Sequence, residues 1–288
     1  EAGKQTAFRC CACLDEFGSE TDSPDAGDED FDGKTCEIAS NWWAQHEPPL
    51  DLSSVPEGYL VSQHWALDPW DPEPPFVTVC DPDHVFFSGH GADRLWGAGL
   101  ELAKHMSSWK AEGLKVVELG AGCGLPGLVL ARRGAHVVLT DVPWMLQLLE
   151  YNIEANFQDQ DARRPQAQSL RWGNDMDADA VVQALGSPPN LVIGADIVYR
   201  EEDFEALLSA VAALGAPNAL LAVQRRDHVL EAFSKFVSQK GWSAQSHYLA
   251  GGVFVFSLQV PGVHGQKNLA MKATAAGQKS GAWAAAAA

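Results

Sequence analysis

In Lys115-Val116-Val117-Glu118-Leu119-Gly120-Ala121-Gly122-Cys123-Gly124-Leu125-Pro126-Gly127, an apolar run ends in an acid, glycines follow at alternate positions, and a proline opens a second apolar run. The first run predicts a strand and the second a helix. Proline suits a first helical turn because it has no amide proton to leave unsatisfied. A second strand, Ala135-His136-Val137-Val138-Leu139-Thr140-Asp141, follows Gly134 and also ends in an acid. Strand, glycine loop, helix and acid-terminated strand together form the layout of a nucleoside-cofactor site on an α/β sheet.

The alternation continues in both directions. Upstream, Leu95, Trp96, Leu100, Leu102 and Met106 predict a helix over 92–110. Downstream, a helix is expected near 143–157 and a third strand at Ser169–Trp172, before the polar loop Gly173-Asn174-Asp175. A helix over 177–185 leads to the strand Leu191-Val192-Ile193-Gly194-Ala195-Asp196, whose apolar and small residues suit burial on both faces. Helix 201–214, strand Ala219–Val223 and helix 227–240 follow. Trp242–Leu249 and Val253–Val260, joined across Gly251-Gly252, read as a β-hairpin. The expected fold is therefore α/β: a Rossmann-like, open, mostly parallel seven-stranded sheet with helices on both faces and a C-terminal antiparallel hairpin.

The glycine loop serves several cofactors. Gly120, Gly122 and Gly124 clear side chains from where a ligand meets the backbone, and the helix N-terminus offers unpaired amides. Asp141 can accept hydrogen bonds from both hydroxyls of a ribose, which suits NAD and S-adenosylmethionine alike. Gly122-Cys123-Gly124-Leu125-Pro126-Gly127 even satisfies the dinucleotide pattern G-x-G-x-x-G. Three details point away from NAD. Glu118 before the glycines would repel a pyrophosphate but attract the α-amino group of a methionine. The glycines alternate from Gly120. The chain closes in a hairpin rather than in a second mononucleotide-binding half.

From about Phe86 to Val260 the chain resembles the seven-strand, class I protein-lysine methyltransferases of methyltransferase family 16, of the methyltransferase-like family 21 type. The resemblance is carried by Leu95 to Ala103, Val117 to Gly127, Leu139-Thr140-Asp141, Asn152 and Asn156, Leu170-Arg171-Trp172-Gly173, Gly194-Ala195-Asp196-Ile197-Val198-Tyr199, and Arg225 or Arg226. It implies S-adenosylmethionine as cofactor and a protein lysine as acceptor. Trp96 would close over the methionine end, Gly120, Ala121 and Gly122 would line it, and Glu118 would lie near its amino group. Asp141 would hold the ribose hydroxyls, Trp172 would lie against the adenine, and Ala195 would line the floor beside the sulfonium. The family's Asp/Glu-x-x-Tyr motif corresponds to Asp196-Ile197-Val198-Tyr199, so Asp196 and Tyr199 are the expected catalytic residues at the mouth. Without the resemblance, Trp96 and Trp172 read as core aromatics, Asp141 as a helix cap and Arg225 and Arg226 as surface charges.

Charge divides the chain. The net charge of −18 is concentrated up to His84, where 19 acidic residues face 3 basic ones, while residues 85–288 carry 19 and 17. Residues 1–40 are acidic and polar and are expected to be disordered. Residues 41–85 form a Pro- and Trp-rich extension, with a strand pair expected at Phe76–Val79 and Val85–Phe87. Residues 86–260 are the expected methyltransferase domain, and 261–288 a Gly-, Ala- and Lys-rich tail. No basic patch points to nucleic acid, and no apolar run is long enough to span a bilayer. Cys10-Cys11-Ala12-Cys13 lacks a second pair of ligands, so no metal is expected and the six cysteines read as reduced thiols. A cytoplasmic or nuclear monomer acting on a protein is the expected form. The rival readings are transfer to a small molecule or another acceptor atom, a non-catalytic cofactor-binding module, and a dehydrogenase.

Overall fold

A computed structural model describes residues 60–64, 76–80, 95–226 and 228–262, with side chains from Leu95 onward. Seven strands form one sheet: β3 (Lys115–Leu119), β4 (His136–Asp141), β5 (Gln166–Ser169), β6 (Leu191–Ala195), β7 (Asn218–Gln224), β8 (Ser243–Tyr248) and β9 (Val253–Gln259). Their order is β5-β4-β3-β6-β7-β9-β8. The first five strands of that order run parallel, whereas β9 is antiparallel to both β7 and β8.

Alternation along the strands sorts the core into two layers, because successive side chains of a strand point to opposite faces. Val116, Val137, Leu139, Ile193, Ala222 and Val255 face α1 (Gly97–Met106), α2 (Leu125–Arg132) and α3 (Leu146–Asn156). Val117, Leu119, Val138, Val192, Leu221 and Phe256 face α4 (Asp175–Leu185), α5 (Phe204–Ala213) and α6 (Val229–Gln239). Helices thus cover both faces, as the strand–helix alternation predicts.

Four boundaries differ most from expectation. Helix α1 starts at Gly97 rather than near 92, with Trp96 as its N-cap residue. Helix α1 ends at Met106 rather than near 110, because the Ser107 hydroxyl and amide both donate to the Lys104 carbonyl and close the last turn. The third strand of the parallel set lies at Gln166–Ser169, not Ser169–Trp172. It is the sheet's edge, so its residues need no apolar pattern. Leu170 leaves the ladder after donating to the Asp141 carbonyl. Asn174 then caps α4 by accepting from the Met176 and Asp177 amides, so that helix starts two residues early.

A separate two-stranded sheet pairs β1 (Leu60–His64) with β2 (Phe76–Cys80). The strand expected at 76–79 is therefore present with Leu60–His64 beside it. Val85–Phe87, expected as its partner, lies outside the described residues. So do the acidic segment 1–40, most of the extension 41–85 and the tail from 263.

Candidate functional site

The parallel strands β4, β3 and β6 all end on the same side of the sheet, and the glycine loop follows the central one. Gly120, Gly122 and Gly124 have φ of 56°, 53° and 79°, a left-handed backbone that glycine adopts without steric cost. The Ala121 amide donates to the Thr140 carbonyl at 2.9 Å, and the Gly124 amide to the Ala121 carbonyl at 2.7 Å. Asn152, fully buried on α3, donates from its side-chain amide to the Cys123 carbonyl at 3.0 Å. The loop is therefore held from β4 and from α3.

Asp141 closes β4 and grips the loop. Its Oδ2 accepts from the Gly122 amide at 2.8 Å and its Oδ1 from the Val142 amide at 2.7 Å. Burial pushes its carboxyl up to about 6, against the pull of these two amides. Carboxylate oxygens carry further lone pairs, so acceptor capacity for hydroxyl donors remains.

Glu118 sits beneath the loop, not on its open side. It lies in the α1–α3 layer, 1% exposed, and its Oε2 accepts from the Gly127 amide in the first turn of α2 at 2.8 Å. Burial pushes its carboxyl up to about 8, opposed by the Gly127 amide and reinforced by the charge of Asp141. A Cβ at Gly127 would run into Leu139 and the Glu118 carboxylate, so the bare glycine permits this contact.

Trp172 and Ile197 stand against the loop from the other layer. A Cβ on Gly120 would lie 3.5 Å from the Trp172 ring and 2.7 Å from Ile197. Ile197 also occupies the space a side chain on Gly194 would need. Its role at the loop was not legible from sequence, since one more aliphatic residue after a buried strand carries no distinguishing signal.

The second group gathers at the exit of β6. Ala195 ends the strand beside Gly99 of α1. Asp196 follows with φ 57°, the only non-glycine residue in the left-handed region among those described. Such strain costs roughly 1–3 kcal/mol and persists where surrounding contacts impose it. Its side chain is 4% exposed; Oδ2 accepts from Arg226 Nη2 at 2.7 Å, while Oδ1 is buried without a partner among the described residues. Burial pushes the Asp196 carboxyl up, and the Arg226 cation and the Gln224 backbone amide pull it down. The arginine that pins this segment is thus Arg226, a choice the sequence left open. Arg225 is exposed, and its amide donates to Gly252.

Trp96, the N-cap residue of α1, and Tyr199 are both about two-fifths exposed, at 42% and 43%. The Arg226 guanidinium lies 5.8 Å from the Trp96 ring centre and 6.0 Å from that of Tyr199. Burial raises the Tyr199 hydroxyl above its ordinary range, with Arg200 opposing and Asp203 and Asp141 adding to the rise.

The ten expected site residues therefore fall into two adjoining groups and one support. Gly120, Ala121, Gly122, Asp141 and Trp172 form a cradle. Trp96, Ala195, Asp196 and Tyr199 form an acid-and-aromatic mouth, and Glu118 lies under the loop. The three glycines and the paired amides of Asp141 fit a nucleoside with a short polar chain. A buried, unpartnered carboxylate oxygen fits a cationic or amine donor. Among the described residues no three His, Cys, Asp or Glu side chains converge as a metal site requires. A shallow groove between α6 and the β8–β9 hairpin, lined by Leu230, Lys235, Phe254 and Phe256, contains none of these groups.

The chain is 35% identical over 147 residues to EEF1A lysine methyltransferase 3 of Mus musculus, covering 49% of this chain and 60% of that protein. It is 34% identical over 134 residues to protein N-lysine methyltransferase METTL21A of Danio rerio, covering 46% and 59%. The chain thus spans about three-fifths of the length of these relatives. Among solved structures, magnesium protoporphyrin IX methyltransferase from Synechocystis with bound SAM aligns at 18% identity and a TM-score of 0.44, over 57% of this chain and 78% of that one. The family model described as lysine methyltransferase matches residues 88–240, more than half of the chain and every site residue named above. With the cradle and mouth falling inside that match, the chain belongs to the lysine methyltransferase family, methyltransferase family 16.

Proposed function

We propose that the chain transfers a methyl group from S-adenosylmethionine to the ε-amine of a lysine in a protein substrate. The observation that carries this reading is the meeting of the glycine loop and Asp141 with the strained Asp196 and its free Oδ1 at one end of the sheet. The relatives' names, which specify lysine methylation, support the choice of acceptor.

S-adenosylmethionine, when bound, supplies a methyl already activated on a sulfonium. Alignment is then most of what the protein must provide. Gly120, Ala121 and Gly122 would line the methionine portion, and Glu118 would act from beneath, bracing the loop through the Gly127 amide rather than meeting the amino group. Asp141 would receive the ribose hydroxyls and Trp172 the adenine, while Trp96 would close over the methionine end and Ala195 would line the floor beside the sulfonium. A free lysine is mostly charged at neutral pH, its pKa being about 10.4. Burial at the mouth lowers that value, and Asp196 Oδ1 can hold the amine by one N–H while the proton leaves to water. Tyr199 would form one wall of the entry. The near-even charge of residues 85–288 supports a protein rather than a nucleic acid as partner. Among the described residues no helix is long and apolar enough to cross a membrane. We take the acting form to be a cytoplasmic or nuclear monomer.

The test combines binding with transfer. Calorimetry should show S-adenosylmethionine binding to the wild type, loss of at least about tenfold in affinity for Asp141→Ala, and near-wild-type binding for Asp196→Ala. With methyl-labelled cofactor and a cell lysate, label should enter a protein band for the wild type and not for Asp196→Ala. A wild type without affinity for the cofactor, or label confined to low-mass material, would overturn the proposal.

A further inference from the structure

Three segments meet on one cation. The N-cap of α1 contributes the Trp96 ring, the exit of β6 contributes Asp196 and Tyr199, and the exit of β7 contributes Arg226 itself. A guanidinium is planar, so it can bond a carboxylate along one edge while its faces lie against aromatic rings. An ammonium cannot do both. The two oxygens of Asp196 are consequently unequal: Oδ2 is engaged by Arg226, and Oδ1 is buried with no partner among the described residues.

We propose that Arg226 is a positioning residue for the acceptor: by engaging Oδ2 it keeps Asp196 ionised and fixed in its left-handed conformation, which leaves Oδ1 as the single acceptor for the substrate amine. The proposal rests on the methyl-transfer reading above. A neutral acid would present a hydroxyl instead of an anion to an arriving ammonium, so the ionised form is the useful one. Burial works against that form; the Arg226 charge is the larger influence set against it and the Gln224 backbone amide the smaller. Among the described residues, Tyr199 lies beside Arg200 and Asp203 on the segment after β6 and feels Asp141 at the end of β4, and at the start of α6 His228 pairs with Glu201. The α1 end contributes only the uncharged Trp96, and the β3 exit only glycine and alanine. Arg226 also stands between the residue expected to close over the cofactor and the wall expected to admit the lysine.

The experiment uses the full chain in two states. In the cofactor-free protein, the Asp196 carboxyl is titrated by carbon-13 NMR, assigned by its loss in Asp196→Asn. In the presence of saturating labelled S-adenosylmethionine, methyl entry into lysate proteins is timed, and cofactor affinity is measured by calorimetry. For Arg226→Gln the Asp196 midpoint should rise by at least about one pH unit. The maximal transfer rate should fall about 100-fold or more, and cofactor affinity should change less than about threefold. Arg226→Lys should restore the midpoint but only part of the rate, since it keeps the charge and loses the planar contact. Arg225→Gln should match the wild type throughout. An unmoved midpoint in Arg226→Gln, or a rate loss no larger than that of Arg225→Gln, overturns the proposal and leaves methyl transfer standing. A wild type that transfers no methyl overturns both. If Arg226→Gln does not fold, the pair of readouts on Arg226→Lys decides, because a purely structural arginine predicts rate and cofactor affinity lost together.

Discussion

Glu118 is a carboxyl set into an apolar layer, between Val116 and the side chains of Val137 and Leu139. With its carboxyl raised to about 8, the folded chain keeps a proton that the unfolded chain releases near the ordinary glutamate value of about 4.3. Between those two values the native state binds more protons, so stability falls as pH rises and levels off above about 8. Asp141 adds a smaller fall that ends near 6. For one proton the slope is at most about 1.4 kcal/mol per pH unit. Buried His105, lowered to about 4, works the other way: the unfolded imidazole binds a proton below about 6.5 that the folded one does not, so it offsets the fall there. Urea unfolding of the wild type should therefore show the decline between about pH 6.5 and 8, and Glu118→Gln should flatten it. A variant with the same slope would mean that Glu118 titrates normally. At this scale the sequence exposed the two acids, since Glu118 precedes the glycine run and Asp141 ends a strand. It could not expose the Gly127 amide as the partner of Glu118, because that contact depends on how closely α2 lies on the sheet. The choice between Arg225 and Arg226 was hidden for a similar reason: it depends on the twist of the chain after β7, not on residue type.

Helix α2 shows what an element can and cannot reveal in advance. Its start was legible because Gly124 in the left-handed region and Pro126 in the first turn are local requirements. Its depth was not: Leu125 to Ala131 are all buried, since the helix crosses the centre of the sheet. Close approach is paid for at Gly127, where a Cβ would meet Leu139 and the Glu118 carboxylate. Gly127→Ala should therefore destabilise the fold by about 1–3 kcal/mol through overpacking, measured as a lower denaturation midpoint at unchanged slope. A stabilised variant would mean that the layer has room to relax. Strand β5 shows the opposite case. Gln166-Ala167-Gln168-Ser169 lies at the sheet's edge and carries no apolar alternation, whereas the neighbouring Leu170 and Trp172 look more like a strand but pack beyond its end. Edge strands are half solvated, so their signal is the weakest in the chain.

Across the whole molecule the sequence shows the pieces of the order β5-β4-β3-β6-β7-β9-β8, namely successive strand–helix units and a closing Gly-Gly hairpin, but not the reversal that places β6 beside β3. Nor do the pieces show which hairpin strand joins the sheet. Val253, Val255, Phe256 and Leu258 are buried, and β9 pairs with all seven residues of β7, while β8 is mostly exposed or half-buried. The two arms therefore sort by hydrophobicity: the apolar arm goes inside and the polar arm outside. One result concerns synthesis. The ribosome makes the inner arm last, after the outer arm that depends on it. Until β9 has emerged, β7 has an unpaired edge and β8 has nothing to join. Nascent chains stalled at increasing lengths should stay protease-sensitive until Gln259 clears the exit tunnel and then become resistant in one step. Resistance gained earlier would mean that the five parallel strands are stable by themselves. While this sheet waits for β9, the open β7 edge is a surface on which another chain could pair, a window in which a chaperone holding that edge would matter.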